Sequence, residues 1–481
     1  MRVLFAAAEA YPLIKTGGLA DVAGALPVAL SSIGEDVRVL LPAYPQALEL
    51  VEGRGGAITL GNLMGVGSVS LIPGRMPDSG LAVWMVECPS LYGRTGNPYV
   101  GPDGADWPDN HLRFALLSQV AALIGVNGEV QEHLGGWRPD VLHANDWQTG
   151  LVPAYVKLWG ARRPATVFTV HNLAYQGRFG REILHAIELP EACYSVEGVE
   201  FYGSVSYLKA GLYYADRITT VSPTYAHEIQ TEAEGQGLQG LLRARSGDLV
   251  GILNGEDPKL WDPATDPAIQ HHYSRTSLEG KAADKADLQR EMGLEPNPNA
   301  PLCGMISRLT EQKGIDLVLA AVPDIVVRGG QVFLLGTGDA ALENACQEMM
   351  KRYPGRVSVV IGFDESLAHR VQAGCDVLMM PSRFEPCGLS QLYALRYGTI
   401  PVVRHTGGLA DTVIDMAQGN VGTGFVFRQA TVGDFCGAMH RALALYRMRP
   451  IWQQLQRRAM AQDFSWRRAA EEYQRLYRGL N

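Results

Sequence analysis

The sequence predicts an α/β protein made of two doubly wound domains. Three observations lead there. The chain has 481 residues, more than the roughly 250–300 that one hydrophobic core accommodates. Apolar strand-like runs alternate with helical spacing along its length. The word TGGLAD occurs twice, at Thr16–Asp21 and Thr406–Asp411, each time after an apolar run and before a helical pattern. Two related half-molecules would explain the repeat. Chance recurrence in a chain with 54 glycines is the alternative.

Taken in order, Met1–Ala8 reads as a buried strand, Thr16–Gly18 as a glycine turn and Asp21–Ile33 as a helix, which together open a β-loop-α unit. The apolar start is cut at Glu9, too early for the hydrophobic region of a signal sequence. Uncharged Gly55–Gly74 is too rich in glycine for a membrane helix and reads as strands and turns. Further strands are expected at Asp36–Leu41, Val141–His143, Thr166–Val170, Arg217–Val221 and Leu249–Leu253. After Asn254-Gly255 the pattern restarts at Leu302–Ser307, Gln331–Leu335, Val357–Ile361, Val377–Met380 and Ile400–Val403, with Glu295–Pro301 as a loop leading in. Such alternation implies parallel sheets wrapped by helices. The last stretch, Arg457–Leu480, is helix-like and carries Phe464, Trp466, Tyr473 and Tyr477.

Composition excludes several classes. Hydrophobic residues at 47% and charged residues at 19% are ordinary globular values. A net charge of −8 argues against coating nucleic acid through an overall field, so an anionic substrate needs locally placed cations. The seven cysteines are scattered, with no C-x-x-C pair, which gives no zinc signal and fits a reducing, cytoplasmic compartment.

The residues that could carry chemistry sit at expected strand ends, where open α/β sheets bind ligands. A glycine pair at a strand-to-helix turn lets backbone amides approach an anion, so both TGGLAD loops qualify as phosphate or sugar sites. Neither matches the dinucleotide or P-loop fingerprints. Lys15, ahead of the first loop, could reach a diphosphate or be a solvated surface lysine. Arg308 and Lys313 follow Leu302–Ser307, a spacing that suits a pyrophosphate and equally a surface pair. Glu385, in the rigid turn PSRFEPCGL, could contact a ligand or pair with Arg383. His171 and Asn172 end one strand and Asp146 follows another, although HAND with Trp147 could be only a helix cap.

Read together, KTGGLADVAGALP, HANDW, TVHNLAYQG, YLKAGLYYAD, SRLTEQKG, PSRFEPCGL and the second TGGLADTV closely resemble bacterial glycogen synthases and plant starch synthases, in consistent order from Met1 to Tyr477. The resemblance implies a GT-B fold of two Rossmann-like domains facing a deep interdomain cleft. Residues 1–245 would form the acceptor-side domain and 246–456 the nucleotide-sugar domain, with 457–481 a helix returning to the first. It implies transfer of glucose from ADP-glucose to the non-reducing end of an α-1,4-glucan (glycogen or a malto-oligosaccharide) with retention of configuration. ADP is released, and no metal, cofactor, nucleic acid or membrane is involved.

By the same resemblance, Arg308 and Lys313 would neutralise the departing diphosphate, joined by Lys15, Gly17 and Gly18. Thr406, Gly407 and Gly408 would offer backbone donors, and Tyr393 would line the nucleotide side. Glu385 would bind the transferred glucose, with Cys387 and Gly388 as pocket wall. His171 would stabilise oxocarbenium-like charge through its carbonyl or imidazole. Asp21, Tyr99, Asp146, Asn172 and Asn254 would serve the sugar and acceptor. Front-face attack and double displacement would use the same residues; the former is favoured because no carboxylate is an evident nucleophile.

The chain also departs from the pattern. Retaining relatives often carry a second glutamate eight positions after the first, where Tyr393 stands here. Glu256 replaces a commonly apolar residue before Asp257. The competing readings are a relative using UDP-glucose, a phosphorylase holding pyridoxal phosphate, a nucleotide-sugar epimerase and a glucan-binding protein without turnover.

Overall fold

The computed structural model describes residues 1–160 and 163–480. It resolves into two compact units, the first comprising Met1–Asn254 with the chain from Trp466 onward, the second Gly255–Ser465. The boundaries expected at 245/246 and 456/457 therefore shift to 254/255 and 465/466. One reason is that Leu249–Gly251 pairs in parallel with a strand of the first unit. The other is that the helix Arg449–Ala459 buries Trp452, Leu455 and Ala459 in the second unit's core.

The strands of the first unit are β1 (Arg2–Ala6), β2 (Asp36–Pro42), β3 (Ile58–Asn62), β4 (Ser68–Arg75), β5 (Ala82–Glu87), β6 (Val141–Asn145), β7 (Ala165–Val170), β8 (Arg178–Gly180), β9 (Glu200–Phe201), β10 (Ser204–Ser206), β11 (Arg217–Thr220) and β12 (Leu249–Gly251). Nine form one sheet in the order β12-β11-β7-β6-β1-β2-β5-β4-β3. Its neighbours are parallel except where β4 runs antiparallel to β3 and β5. The uncharged segment 55–74 supplies β3 and much of β4 at this edge, as strands and turns. Strands β8, β10 and β9 make a small antiparallel sheet. Val3, Leu4 and Phe5 are wholly buried, as a central parallel strand covered on both faces requires.

The helix Gly18–Ser32 starts earlier than its apolar spacing suggests, which places Asp21 in its first turn, where the helix dipole favours a carboxylate. The stretch expected as one helix from 457 is broken. Asp463 accepts a hydrogen bond from the Ser465 amide at 3.0 Å, and a new helix, Trp466–Arg478, follows. This helix buries Trp466, Ala469, Ala470, Tyr473 and Tyr477, an i, i+3, i+4, i+7, i+11 stripe, in the first unit. Tyr477 Oη lies 2.6 Å from Nδ1 of buried His143 on β6, whose Nε2 lies 2.6 Å from Thr169 Oγ1.

The second unit has β13 (Leu302–Ile306), β14 (Gln331–Gly336), β15 (Val357–Ile361), β16 (Val377–Met380), β17 (Ile400–Arg404) and β18 (Phe425–Phe427). All are parallel, in the order β15-β14-β13-β16-β17-β18. Successive residues of β13 face opposite layers. Leu302 packs with Trp261, Tyr273 and Tyr397, while Cys303 and Met305 pack with Val318, Phe435 and Trp452.

Both units thus have doubly wound topology, but the two TGGLAD words do not occupy matching places. The first follows β1, the opening strand of its sheet; the second follows β17, the fifth strand of its own. The repeat marks a shared strand-turn-helix order rather than equivalent positions in two halves, and even the turns differ, Gly17 being extended at φ −157° where Gly407 has φ +42°. Among the described residues no helix is long and apolar enough to cross a membrane.

Candidate active site

In the second unit the strand order reverses between β13 and β16, and the crevice at such a reversal is the usual ligand site. The loop after β13 brings Arg308 and Lys313 and the loop after β16 brings Glu385. Lys313 Nζ meets Glu385 Oε2 at 2.6 Å, and Ser382 Oγ donates to the same oxygen at 3.0 Å. Glu385 is 5% exposed, whereas Arg308 is exposed. The alternative partner of Glu385, Arg383, is turned elsewhere: it holds Asp316 through two bonds of 2.8 Å. The Arg383 amide donates to Gln312 O at 2.7 Å and Gln312 Nε2 donates to Phe384 O at 3.3 Å, so the two loops are sewn together. Gly314 (φ +71°) lets them approach, since a Cβ there would lie 2.3 Å from Pro381 O.

The second TGGLAD turn is packed beneath the Glu385 loop. Thr406 is 1% exposed. A Cβ on Gly407 (φ +42°) would lie 1.9 Å from Glu385 O, and one on Gly408 2.1 Å from Cys387 O. The Gly408 amide donates to the carbonyls of Glu385 and Pro386 at 3.2 and 3.1 Å, and the Thr406 amide to Arg404 O at 3.0 Å. The expectation that Thr406–Gly408 offer backbone donors to a ligand is therefore corrected for Thr406 and Gly408, whose amides hold the protein's own carbonyls. Cys387 is buried. Gly388 (φ +72°) shares with it the Gln391 Nε2 donor, 3.0 Å from both carbonyl oxygens. Tyr393 lies 3.9 Å from Trp261 in a near-parallel stack, and Trp261 stacks at 3.6 Å on His369.

In the first unit the order reverses between β1 and β6, and the same logic gathers Glu9, Lys15, Thr16, Gly17 and Gly18 after β1 and Asp146 after β6. Lys15 Nζ meets Asp21 Oδ1 at 2.7 Å. A Cβ on Gly17 or Gly18 would meet nothing within 4 Å, so this copy of the glycine pair faces open space. Gly18 begins the helix, and its amide lies in the first turn, where no intrahelical carbonyl is available.

Asp146 has φ 56° and ψ −179°, a region populated almost only by glycine and costing about 1–3 kcal/mol. Its Oδ1 accepts the His171 amide at 2.7 Å, and the Asn172 amide also bonds its carboxylate. Burial outweighs these bonds and pushes the carboxyl up to about 7. The side chain makes no capping bond to the short helix Trp147–Thr149, so the helix-cap reading of HAND does not describe it. His171 Nε2 lies 3.0 Å from Asn145 Oδ1. Asn145 Nδ2 already donates to Ala6 O and His143 O, so the network assigns the proton to Nε2 and leaves Nδ1 an acceptor. Burial lowers this imidazole to about 3, so it is neutral near pH 7. Asn172 Oδ1 accepts the Ala174 amide at 3.0 Å, and Asn254 lies buried beyond β12.

The first half of the chain, residues 2–244, matches the starch synthase catalytic domain family, and residues 291–458 match glycosyl transferases group 1. Glycogen synthase of Rhodospirillum rubrum is 54% identical over 99% of this chain and 98% of its own length. That of Paramagnetospirillum magneticum is 52% identical over 100% and 98%. This chain belongs to the glycogen and starch synthase family. It is a glycosyltransferase of GT-B fold. The catalytic domain of starch synthase IV from Arabidopsis thaliana, solved with ADP and acarbose, superposes with a TM-score of 0.88 at 31% identity, covering 100% of this chain and 99% of that one. Sucrose-phosphate synthase from Thermosynechococcus elongatus, at 18% identity and a TM-score of 0.61 over 100% and 98%, shares the fold.

Several groups that build the site carry little or no signal in the sequence. Ser382 and Asn145 orient Glu385 and His171, but a serine or asparagine beside a motif gives no signal of its own. Glu9 did give a signal, as a carboxylate interrupting an apolar strand. Among the described residues, His271, Asp284 and Asp287 form the one group able to hold a metal ion. They lie on the helix Glu279–Glu291 and the segment before it, not on a strand-end loop.

Proposed function

We propose that this chain transfers glucose from ADP-glucose to the non-reducing end of an α-1,4-glucan, glycogen or a malto-oligosaccharide, with retention of configuration and release of ADP. The observation that carries the reading is the Lys313–Glu385–Ser382 cluster at the strand-order reversal of the second unit, in a chain 54% identical to a bacterial glycogen synthase. Arg308 and Lys313 put two cations on one loop, the charge a departing diphosphate requires, so the reading includes no metal ion or cofactor. Glu385, fixed by Lys313 and Ser382, accepts hydroxyls of the transferred glucose, and the backbone of Cys387 and Gly388 walls its pocket. Tyr393 serves the nucleotide.

In the first unit Lys15 and the helix start at Gly18 serve the phosphates, the expected Gly17 donor being held by Glu9. Asp21, Tyr99, Asp146, Asn172 and Asn254 serve the sugar and acceptor. Neutral His171 adds no positive charge of its own where oxocarbenium character develops, while its Nδ1 and carbonyl can accept. Front-face attack is the retention mechanism we favour, because Glu385 is already tied to Lys313. Nucleic acid and membrane are no part of the reading, and the cytoplasm is its compartment.

Initial rates of labelled glucose transfer to glycogen, with ADP-glucose and UDP-glucose side by side, test it. Transfer from ADP-glucose is expected, with Glu385→Ala and Lys313→Ala each falling by about 10²–10³-fold. Faster transfer from UDP-glucose overturns the donor, and full activity in both variants overturns the residue roles.

A further inference from the structure

The first TGGLAD turn has the form of an anion cradle, yet its donors converge on a group inside the protein. Glu9 Oε2 accepts the Thr16 amide at 2.5 Å, Thr16 Oγ1 at 2.7 Å and the Gly17 amide at 3.3 Å. Its other oxygen, Oε1, accepts Tyr99 Oη at 3.0 Å. Glu9 is 3% exposed, while Thr16, Gly17 and Gly18 are exposed. A buried carboxylate thus fills from behind the place an anion would take at the front of an exposed loop.

We infer that Glu9 is the positioning residue that presets the first TGGLAD loop and Tyr99 for glucosyl transfer, with its own carboxylate standing in the donor nest of Thr16 and Gly17. The inference rests on the proposed function and assigns within it a residue that the motifs leave out. With the two amides consumed internally, a ligand phosphate at this loop meets Lys15 and the first turn of the helix Gly18–Ser32. Three donors meet at Oε2 and the Tyr99 hydroxyl at Oε1, and they favour the ionised form against the burial that raises this carboxyl. A glutamine keeps one acceptor oxygen but not the charge, and its N–H finds a partner only if the Tyr99 hydroxyl turns to accept. Fixing the loop before substrate arrives removes an ordering cost from the transferring complex, where a displacement of about 1 Å can lower the rate about 10²-fold.

The test is Glu9→Gln in the full chain, with two readouts. Amide hydrogen exchange at Thr16 and Gly17 is expected to quicken about 10–100-fold, as expected when hydrogen bonds to a charged acceptor are lost. Per folded molecule, kcat is expected to fall about 10²-fold while the donor KM stays within about threefold, less than a half-decade of affinity. A merely structural role would lower the folded fraction and leave kcat per folded molecule unchanged. Unchanged exchange at both amides, or unchanged kcat per folded molecule, overturns the inference. Should Glu9→Gln not fold, Thr16→Val deletes one donor on the exposed loop, and exchange at Gly17 must still quicken. Exchange reads the loop whether or not glucose is transferred. Accelerated exchange in a chain whose wild type is inactive would therefore sink the proposed activity and leave the loop assignment standing.

Discussion

Alanine at Gly408 and alanine at Gly18 make the same chemical change in the same six-residue word, yet the structure demands opposite outcomes. At Gly408 the new Cβ would lie 2.1 Å from Cys387 O, against the 3.4 Å at which ordinary contact begins, and the obstacle is backbone. Relief requires moving the Glu385 loop by about 1 Å, an overpacking cost of about 1–3 kcal/mol. It also requires weakening the Gly408 amide's bonds to Glu385 O and Pro386 O, at about 1 kcal/mol each. A total of about 3–5 kcal/mol corresponds to roughly 6–20 °C for a unit of this size. At Gly18 the Cβ meets nothing within 4 Å in a helical position, and alanine there should stabilise by about 0.4–1 kcal/mol. Calorimetry of the two variants, with initial rates, checks both signs. Gly408→Ala should also lose activity by displacing Glu385. Equal tolerance at the two sites, or a Gly408→Ala melting point within 2 °C of wild type, would refute the steric reasoning.

Two further outcomes follow from buried groups. Glu256 is 4% exposed and its Oε2 has no hydrogen-bond partner. Burial, opposed by Arg396 and reinforced by Asp262, Asp463 and Asp257, pushes its carboxyl from 4.5 up to about 7. Because the folded value is raised, this group's contribution is fully present below about pH 4.5 and is lost as pH rises to about 7. Glu256→Gln should therefore exceed wild type by up to about 3 kcal/mol at pH 8 relative to their difference at pH 4.5. Urea titrations at both pH values measure it, and a pH-independent difference would contradict the assignment. Ending the chain at Ser465 removes Trp466, Tyr473 and Tyr477 from the first unit's core, roughly 1.5–3 kcal/mol each. The first unit should then lose its cooperative melting transition while the second keeps its own; retention of both transitions would show that the helix is dispensable.

Much of the fold is legible in the sequence because strands are local patterns. Val357–Ile361 and Val377–Met380 are strands over the very residues their apolar runs mark, and the glycine turns stand where written. The edge is less legible. Strand β5 has its apolar run but no helix before it to announce a parallel neighbour, and the reversal of β4 is set by pairing with β3 and β5. The candidate residues were likewise readable as types at strand ends. Their relations were not. Lys313 and Glu385 are 72 positions apart, and only the juxtaposition of β13 with β16 makes them a pair and turns Arg383 to Asp316 instead. The two TGGLAD words make the difference plain. By itself the sequence determined a strand, a glycine turn and a helix at each, since these depend on neighbouring residues. Tertiary structure alone decided that the glycines of one face open space, its donors gathered by Glu9, while those of the other are there because the Glu385 loop lies against them, since steric room and buried charge are set by what the fold brings alongside.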